Sequence, residues 1–456
     1  MTHRFDLVVV GCGPGGYVAA REAARRRLRV AVVEKGPLGG TCLNWGCIPT
    51  KIVLGAASPL SELESLSRMR LVTGRLDLNL QALQKRRTQV VTASQKLMAA
   101  RLEQDGVTVF TGSARLLGPN RMLVTGPQDL ELDFTSCILA SGSRPRALPG
   151  LKPDGTTLFS SNQLLDATEP PHHLVVVGGG AIGLELAQFF NLLGSRITVV
   201  EALPRIAPAE DPEVSQVLFQ LFKRRGWALH PGTRLESVLP AGDEAEISLD
   251  TGAQLRADAV LLAAGRTAVT EGLGLEAAGA RTQENGFIAT DGFLKAADTV
   301  YAIGDCNGRT LLAHAAEQQG RFAVKHITGT TSGPFPDHPC PSCMYGPVEV
   351  MRAGRSVSDL QDQGVPVRVS RFLLAGNPIA QAHGAAHGLV KIIWGKESIQ
   401  GITAVGRGVS SLVTLSEILT SRAWTRDQVA DLVFAHPTLD EALKEAVLAP
   451  QETVTD

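Results

Sequence analysis

Two stretches of this chain carry the same pattern, with the same internal interval. Phe5-Asp6-Leu7-Val8-Val9-Val10 runs into Gly11-Cys12-Gly13-Pro14-Gly15-Gly16, then a helical pattern from Tyr17 to Arg27, then an apolar run from Leu28 that ends at Glu34. Leu174-Val175-Val176-Val177 runs into Gly178-Gly179-Gly180-Ala181-Ile182-Gly183, a second helical pattern, and a strand from Arg196 that ends at Glu201. First glycine and acid are 23 residues apart in both copies. Glycines at this strand-to-helix turn let the backbone approach a pyrophosphate at a helix N-terminus, and the strand-end acid reaches a ribose hydroxyl. One GxGxxG is weak on its own. Strand, helix and acid in register, twice, predict two dinucleotide-binding domains. Glu201 also discriminates: a carboxylate there bonds a 2′-hydroxyl and repels a 2′-phosphate, so with Gly178, Gly180, Ile182 and Gly183 it predicts NAD rather than NADP.

Between the two copies lies Gly39-Gly40-Thr41-Cys42-Leu43-Asn44-Trp45-Gly46-Cys47-Ile48-Pro49-Thr50-Lys51. In a regular helix, Cα atoms five apart sit about 8–9 Å from each other, whereas a disulfide tolerates at most about 7 Å. If Cys42 and Cys47 bond, the chain must wind irregularly, and Gly46 and Pro49 supply the means. A thiol at a helix start also has a lowered pKa, which favours exchange chemistry. Two buried, inert cysteines are the plain alternative; the surrounding glycines and the Ile-Pro-Thr-Lys tail favour a redox pair.

This segment resembles the redox-active segment of the FAD-dependent pyridine nucleotide–disulfide oxidoreductases, and within them looks most like dihydrolipoamide dehydrogenase. The resemblance extends along the chain. Ser136 to Pro145, with Ser141 and Gly142, resembles the second flavin-contacting segment. Ala263-Ala264-Gly265-Arg266 resembles the return from the nicotinamide side, and Gly304-Asp305 with Leu311-Leu312-Ala313-His314 resembles the ribityl-binding segment. His436-Pro437-Thr438-Leu439-Asp440-Glu441 resembles the C-terminal segment of a dimer-forming domain.

The resemblance implies an α/β fold with two Rossmann-like dinucleotide-binding domains and an α+β C-terminal dimerisation domain. The boundaries expected are 1–145 and 266–333 for the FAD-binding domain, 146–265 for the NAD-binding domain and 334–456 for the interface domain. FAD is expected at Gly11, Gly13, Gly16, Glu34, Lys35, Gly40, Thr41, Lys51, Ala114, Ser141, Gly142, Asp305 and Ala313. NAD is expected at Gly178, Gly180, Ile182, Gly183, Glu201 and Gly265. Cys42 is implied to exchange with substrate and Cys47 to face the flavin, as a redox-active disulfide. His436 is implied to be the base, because only a thiolate attacks and histidine titrates in the useful range. Glu441 is implied to orient His436, although Thr438-x-x-Glu441 is also a capping-box signature. Lys51 and Glu185 are implied to pair beneath the flavin, where positive charge favours its reduced form. Electrons are then expected to pass from dihydrolipoamide, or a lipoyl carrier protein, to NAD⁺. The alternative is an NADH-dependent reductase of another low-molecular-weight disulfide.

Several positions depart from the family pattern: Trp45 between the cysteines, Phe434 two places before His436, Ser411, the short tail after Glu441, and the extra pair Cys340-Pro341-Ser342-Cys343. This last reads as the start of an interface-domain strand rather than a second redox pair or half a metal site, since no further Cys or His pair completes a zinc set.

Composition narrows the classes. A chain of 456 residues predicts two to four domains. A net charge of −1 gives no electrostatic reason for a nucleic acid or anionic membrane partner. Seven scattered cysteines are no secreted disulfide framework. No apolar run reaches the roughly 18 residues of a membrane span, and the N-terminus lacks a signal peptide's apolar core. A cytoplasmic homodimer without metal is expected. The stretch from 56 to about 105 reads as helical and charged, with Asn79 to Gln104 as a long, solvated helix, and carries no chemistry.

Overall fold

The first apolar run forms the strand His3–Val10, which is buried from Leu7 to Val10. It pairs in parallel with Val30–Glu34 on one side and Leu130–Leu139 on the other. Thr108–Thr111 extends the sheet beyond Val30–Glu34, and Val300–Ala302 pairs in parallel with Leu130–Leu139. Near-continuous apolar strands of this kind are buried on both faces. Here Pro14–Arg25 and Ala313–Ile327 pack together on one side, with Ala19, Ala20, Ala23, Ala323 and Val324 in their shared core.

The computed structural model describes residues 3–336 and 338–454. Its chain forms two units, each described by itself: Met1–Thr50, Gln84–Arg146 and Gly265–Asp337 in the first, and Lys51–Leu83, Ala147–Ala264 and His338–Asp456 in the second.

The second unit contains the other repeat. Its parallel sheet runs Ala228–Pro231, Arg196–Glu201, His173–Val177, Ala259–Leu262, Leu158–Ser160. A three-stranded antiparallel meander, Leu235–Ala241, Glu244–Leu249 and Gln254–Ala257, packs beside it. The C-terminal portion is a six-stranded antiparallel sheet in the order Ser342–Met344, Glu349–Gly354, Ile399–Gly406, Leu389–Trp394, Arg368–Leu373, Glu452–Thr453. Trp394 is fully buried there, and its indole N–H donates to Ser370 Oγ (2.9 Å). Buried Lys391 lies between Asp211 (2.9 Å) and Glu213 (3.1 Å), so its charge is compensated where an isolated one would be costly. The expected fold class of two Rossmann-like domains and an α+β domain is what the chain forms.

The helical stretch contains the long helix expected from Asn79 to Gln104. It is two helices, Cys47–Arg68 and Leu80–Gln104. Arg70 (φ 58°) and Gly74 (φ 137°) adopt backbone conformations that a helix cannot contain.

Candidate functional site

The dithiol segment is built by a break between two helices. Gly40–Asn44 is a short helix that stops at Trp45, whose N–H donates to Thr41 O (2.9 Å). The next helix starts at Cys47, with Pro49 in its first turn, where a missing N–H costs nothing. A Cβ on Gly46 would lie 3.1 Å from Thr41 O and 3.4 Å from Cys42 Cα, so the absence of a side chain lets the backbone return past the first cysteine. The irregular winding expected between the cysteines is therefore present. Asn44 Nδ2 donates to Leu38 O (3.0 Å) and Gly40 O (2.8 Å), fastening the short helix to the loop before it. Gln95, on the helix given no chemistry above, donates from Nε2 to Asn44 Oδ1 (2.5 Å).

Cys42 and Cys47 carry thiols here. A hydrogen bond to Cys47, and then burial, push the Cys42 thiol up. Trp45, between them, is 41% exposed.

The first glycine loop is a cradle without room for side chains. A Cβ on Gly11 (φ 94°) would lie 2.4 Å from Ala140 O, and one on Gly16 would lie 2.0 Å from Gly11 O. Gly13 packs against Gly40, where an added Cβ (φ 55°) would meet Gly13 Cα at 2.8 Å. The phosphate loop and the dithiol helix thus touch backbone to backbone. Glu34 Oε2 accepts from Cys12 N (2.7 Å) and Oε1 from Gly36 N (2.9 Å). Lys35 beside it is exposed. Gly112 N donates to Glu34 O (3.0 Å), which brings buried Ala114 to this end of the sheet. Ser141 Oγ donates to Val269 O (2.7 Å), and Gly142 (φ 73°) makes the turn into Ser143–Pro145. Asp305 sits in the turn Gly304–Asn307, held by Gln319 Oε1, which accepts from Gly304 N (2.8 Å) and Asn307 Nδ2 (2.8 Å). Ala313 begins the following helix.

Sequence reasoning passed over Arg266 as a site residue. Its Nε donates to Ser143 Oγ (2.7 Å) and its Nη2 to Ser143 O (2.8 Å). Ser143 Oγ donates to Asp305, and Thr41 Oγ1 donates to Ser143 O (3.5 Å). Burial lowers the Arg266 pKa, against the attraction of Asp305 and Cys47. Arg266 thus ties the acid of the Gly-Asp turn to the dithiol segment. Only its position right after Gly265 hinted at this.

The second glycine loop repeats the first. A Cβ on Gly178 (φ 109°) would lie 2.4 Å from Ala263 O, and one on Gly183 would lie 2.2 Å from Gly178 O. Gly180 caps the helix Ala181–Leu192, and Ile182 is partly exposed on it. Glu201 Oε2 accepts from Gly179 N (2.7 Å) and Oε1 from Leu203 N (2.7 Å), the same grip that Glu34 has on its own loop. Each carboxylate oxygen still has acceptor capacity for a ribose hydroxyl. Gly265 (φ 105°) belongs to the first unit.

Glu185, on that same helix, is 7% exposed and accepts from Lys51 Nζ (2.6 Å). The expected pair is formed within the second unit. His436 and Glu441 also meet there, with Nδ1 and Oε1 3.0 Å apart and His436 69% exposed. Glu441 Oε2 accepts from Thr438 N (2.9 Å), and Thr438 Oγ1 donates to Ala435 O (2.8 Å). One carboxylate therefore both faces the imidazole and ties the loop. The capping box itself is not made, since the Thr438 hydroxyl is used elsewhere. The hydrogen bonds to Thr438 and His436 lower the Glu441 pKa. Lys444 Nζ lies 5.2 Å from the Phe434 ring centroid and donates to Leu432 O (2.8 Å), so Phe434 anchors the approach to His436. Ser411 Oγ donates to Gly408 O (2.8 Å). The dithiol belongs to the first unit and the His436–Glu441 pair to the second.

Comparison with known proteins decides the family. The pattern of the pyridine nucleotide-disulphide oxidoreductases matches residues 5–320, and that of their dimerisation domain matches residues 340–447. The chain belongs to this family. It is 37% identical to the dihydrolipoyl dehydrogenase of Chlorobaculum tepidum over 97% of this chain and 96% of that one. It is 33% identical to that of Bacillus subtilis, over 98% of both. The crystal structure of LpdA from Mycobacterium tuberculosis superposes with a TM-score of 0.90 at 27% identity, over 98% of this chain and 99% of that one. The HOCl-induced flavoprotein disulfide reductase RclA from Escherichia coli shares the fold, with a TM-score of 0.87 at 24% identity over 98% and 99%. The protein is a flavoprotein disulfide oxidoreductase that uses FAD and NAD(H), and its dimerisation domain makes it a homodimer. The two glycine cradles and their strand-end acids fit these cofactors. Among the described residues, no helix is long and apolar enough to cross a membrane, and no group of three or more His, Cys, Asp or Glu is arranged to hold a metal ion.

Proposed function

We propose that this chain is an NAD-dependent dihydrolipoyl dehydrogenase acting on a lipoyl-bearing carrier protein or on free dihydrolipoamide. The observation that carries the reading is the hydrogen-bonded Cys42–Cys47 pair on a chain related over nearly its whole length to curated dihydrolipoyl dehydrogenases. FAD binding is assigned to 1–145 and 266–333, NAD binding to 146–265 and dimerisation to 334–456.

In the oxidised enzyme Cys42 and Cys47 form a disulfide. A substrate thiolate attacks Cys42 Sγ, the Cys42–Cys47 bond breaks, and Cys47 leaves as a thiolate. The second substrate thiol closes on the sulfur bound to Cys42, forming the cyclic disulfide product and releasing Cys42, which takes a proton. The substrate has lost two electrons and the dithiol has gained them. His436, oriented by Glu441, accepts a proton from the attacking thiol, since only the thiolate is nucleophilic. The hydrogen bond to Cys47 and burial raise Cys42, and in this relay Cys47 is the thiolate that faces the flavin. FAD and NAD⁺, when bound, supply the two-electron and hydride chemistry that side chains lack. Lys51, paired with Glu185, holds positive charge where negative charge arrives. Glu201 favours NAD over NADP by charge.

The test is NAD⁺ reduction by dihydrolipoamide with purified, FAD-loaded protein, beside NADH oxidation by a series of small disulfides. Turnover with dihydrolipoamide at least about tenfold above every other dithiol or disulfide is expected. Turnover confined to another disulfide would replace this reading.

A further inference from the structure

Lys51 and Glu185 are fixed by a residue that no motif announced. Tyr345 follows the strand Ser342–Met344, within the same unit as both. Its backbone N–H donates to Glu185 Oε1 (2.8 Å), the oxygen not used by Lys51. Its ring centroid lies 4.4 Å from Lys51 Nζ, well within cation–π range. One residue therefore touches both members of the pair.

Tyr345 is itself held through its carbonyl. Gln188, three residues beyond Glu185 and fully buried, donates from Nε2 to Tyr345 O (3.4 Å) and accepts at Oε1 from Val348 N (2.9 Å). Gly346 (φ 144°) lets the backbone close on that amide, since a Cβ there would lie 2.5 Å from Gln188 Nε2. At the far end of the ring, the Tyr345 hydroxyl and the Cys343 thiol are neighbours that shift each other's titration. Burial pushes Cys343 up to about 11 and Tyr345 up to about 12, so both are neutral at physiological pH.

Of the Cys340–Cys343 motif, Cys343 lies in the strand Ser342–Met344 and Cys340 precedes it, and both carry free thiols.

We propose that Tyr345 is a positioning residue for the flavin-side charge: its ring, with the backbone steadied by Gln188, keeps the Lys51 ammonium fixed beside Glu185. The physical need is clear from Lys51 itself. Its side chain is 35% exposed, and a lysine stem has four flexible carbons. A partly exposed ion pair by itself orders such a chain weakly. An aromatic face adds attraction without adding a competing charge. The proposal rests on the reading that Lys51 supplies positive charge at the flavin.

The test is the two-electron reduction potential of bound FAD in the full-length dimer, measured against a reference dye. A Cys47→Ser background keeps the dithiol from competing for electrons. Lys51→Met and Tyr345→Leu should both move the potential in the negative direction. Tyr345→Leu should favour the oxidised form about tenfold, or about 30 mV for two electrons. Tyr345→Phe, which keeps the ring, should stay within about twofold of the parent. If Lys51→Met moves the potential and Tyr345→Leu does not, this proposal is overturned alone. If Lys51→Met does not move it, the reading of Lys51 falls and takes the proposal with it. A Tyr345→Phe shift as large as that of Tyr345→Leu would assign the effect to the hydroxyl and overturn the role of the ring. Should Tyr345→Leu fail to fold, pentafluorophenylalanine at position 345 keeps the ring's shape and reverses its charge distribution. It should shift the potential as Leu does, and an unchanged potential would overturn the proposal.

Discussion

At the scale of single residues, the hydrogen bond to Cys47 and burial raise the Cys42 thiol. The proposed relay makes Cys47 the thiolate that faces the flavin. Two-electron reduction of the FAD-loaded protein should therefore give a broad long-wavelength charge-transfer absorption that Cys47→Ser abolishes. A Cys47→Ser protein that kept the band would remove Cys47 from this role. Glu201 decides between coenzymes at the same scale. Its carboxylate is fixed by Gly179 N–H and Leu203 N–H and is only 8% exposed, so it cannot swing away from a 2′-phosphate. NADH should be preferred over NADPH by at least about a hundredfold in kcat/KM, roughly 2.7 kcal/mol. Comparable steady-state rates with the two coenzymes would rule out this role for Glu201.

At the scale of elements, the dithiol helix is only as well placed as its contact with the first glycine loop. In Gly40→Ala the new Cβ meets Gly13 Cα at 2.8 Å, from a backbone conformation that L-residues disfavour. Because the obstacle is backbone, it cannot rotate aside. The variant should purify with less than about half the wild-type flavin content at equal protein; a full complement of FAD would show that the loop accommodates the methyl group. In the loop before the helix Asp440–Leu448, Glu441 binds both Thr438 N and His436 Nδ1. Since these bonds lower its pKa, their contribution is fully present above the ordinary carboxylate range and is lost as pH falls through the lowered value. The Thr438 amide resonance should therefore titrate at the acid end in wild type and stay flat in Glu441→Gln. Titration of the same amide in both proteins would detach it from Glu441.

At the scale of the whole molecule, the homodimer makes a claim about mixtures. The resemblance assigns the thiols of one active site to one subunit and its base to the other, and a two-fold interface then builds two equivalent sites. Cys42→Ser homodimers should be inactive and His436→Gln homodimers nearly so. Refolded together in equal amounts, about half of the dimers are mixed, and each mixed dimer has one site with both Cys42 and His436 intact. Activity with dihydrolipoamide should recover to about a quarter of wild type treated alike. Recovery of nothing, with subunit exchange demonstrated, would place base and thiols on the same chain.

The sequence by itself determined the two dinucleotide-binding units, the NAD preference of the second and the position of the dithiol, while the resemblance supplied FAD. These depend on local backbone demands: glycines where a Cβ would collide within 2–3 Å, an acid at a strand end, and a glycine between two cysteines. Such demands leave residue types at set spacings. The contacts that only the tertiary structure decided join residues far apart in the chain. Lys51 and Glu185 are separated by 134 positions and Glu185 and Tyr345 by 160; Arg266 and Ser143 by 123, and Gln95 and Asn44 by 51. The resemblance supplied the first of these pairs. The others left no sign, because a hydrogen bond between distant segments asks only for one polar group on each side, and many sequences provide that without any period or spacing. The long helix from Asn79 was legible, but the form of the break before it was hidden for a related reason. Helical propensity is continuous on both sides of it, and the turn is made by two residues, Arg70 and Gly74, whose backbone conformations only the folded chain displays.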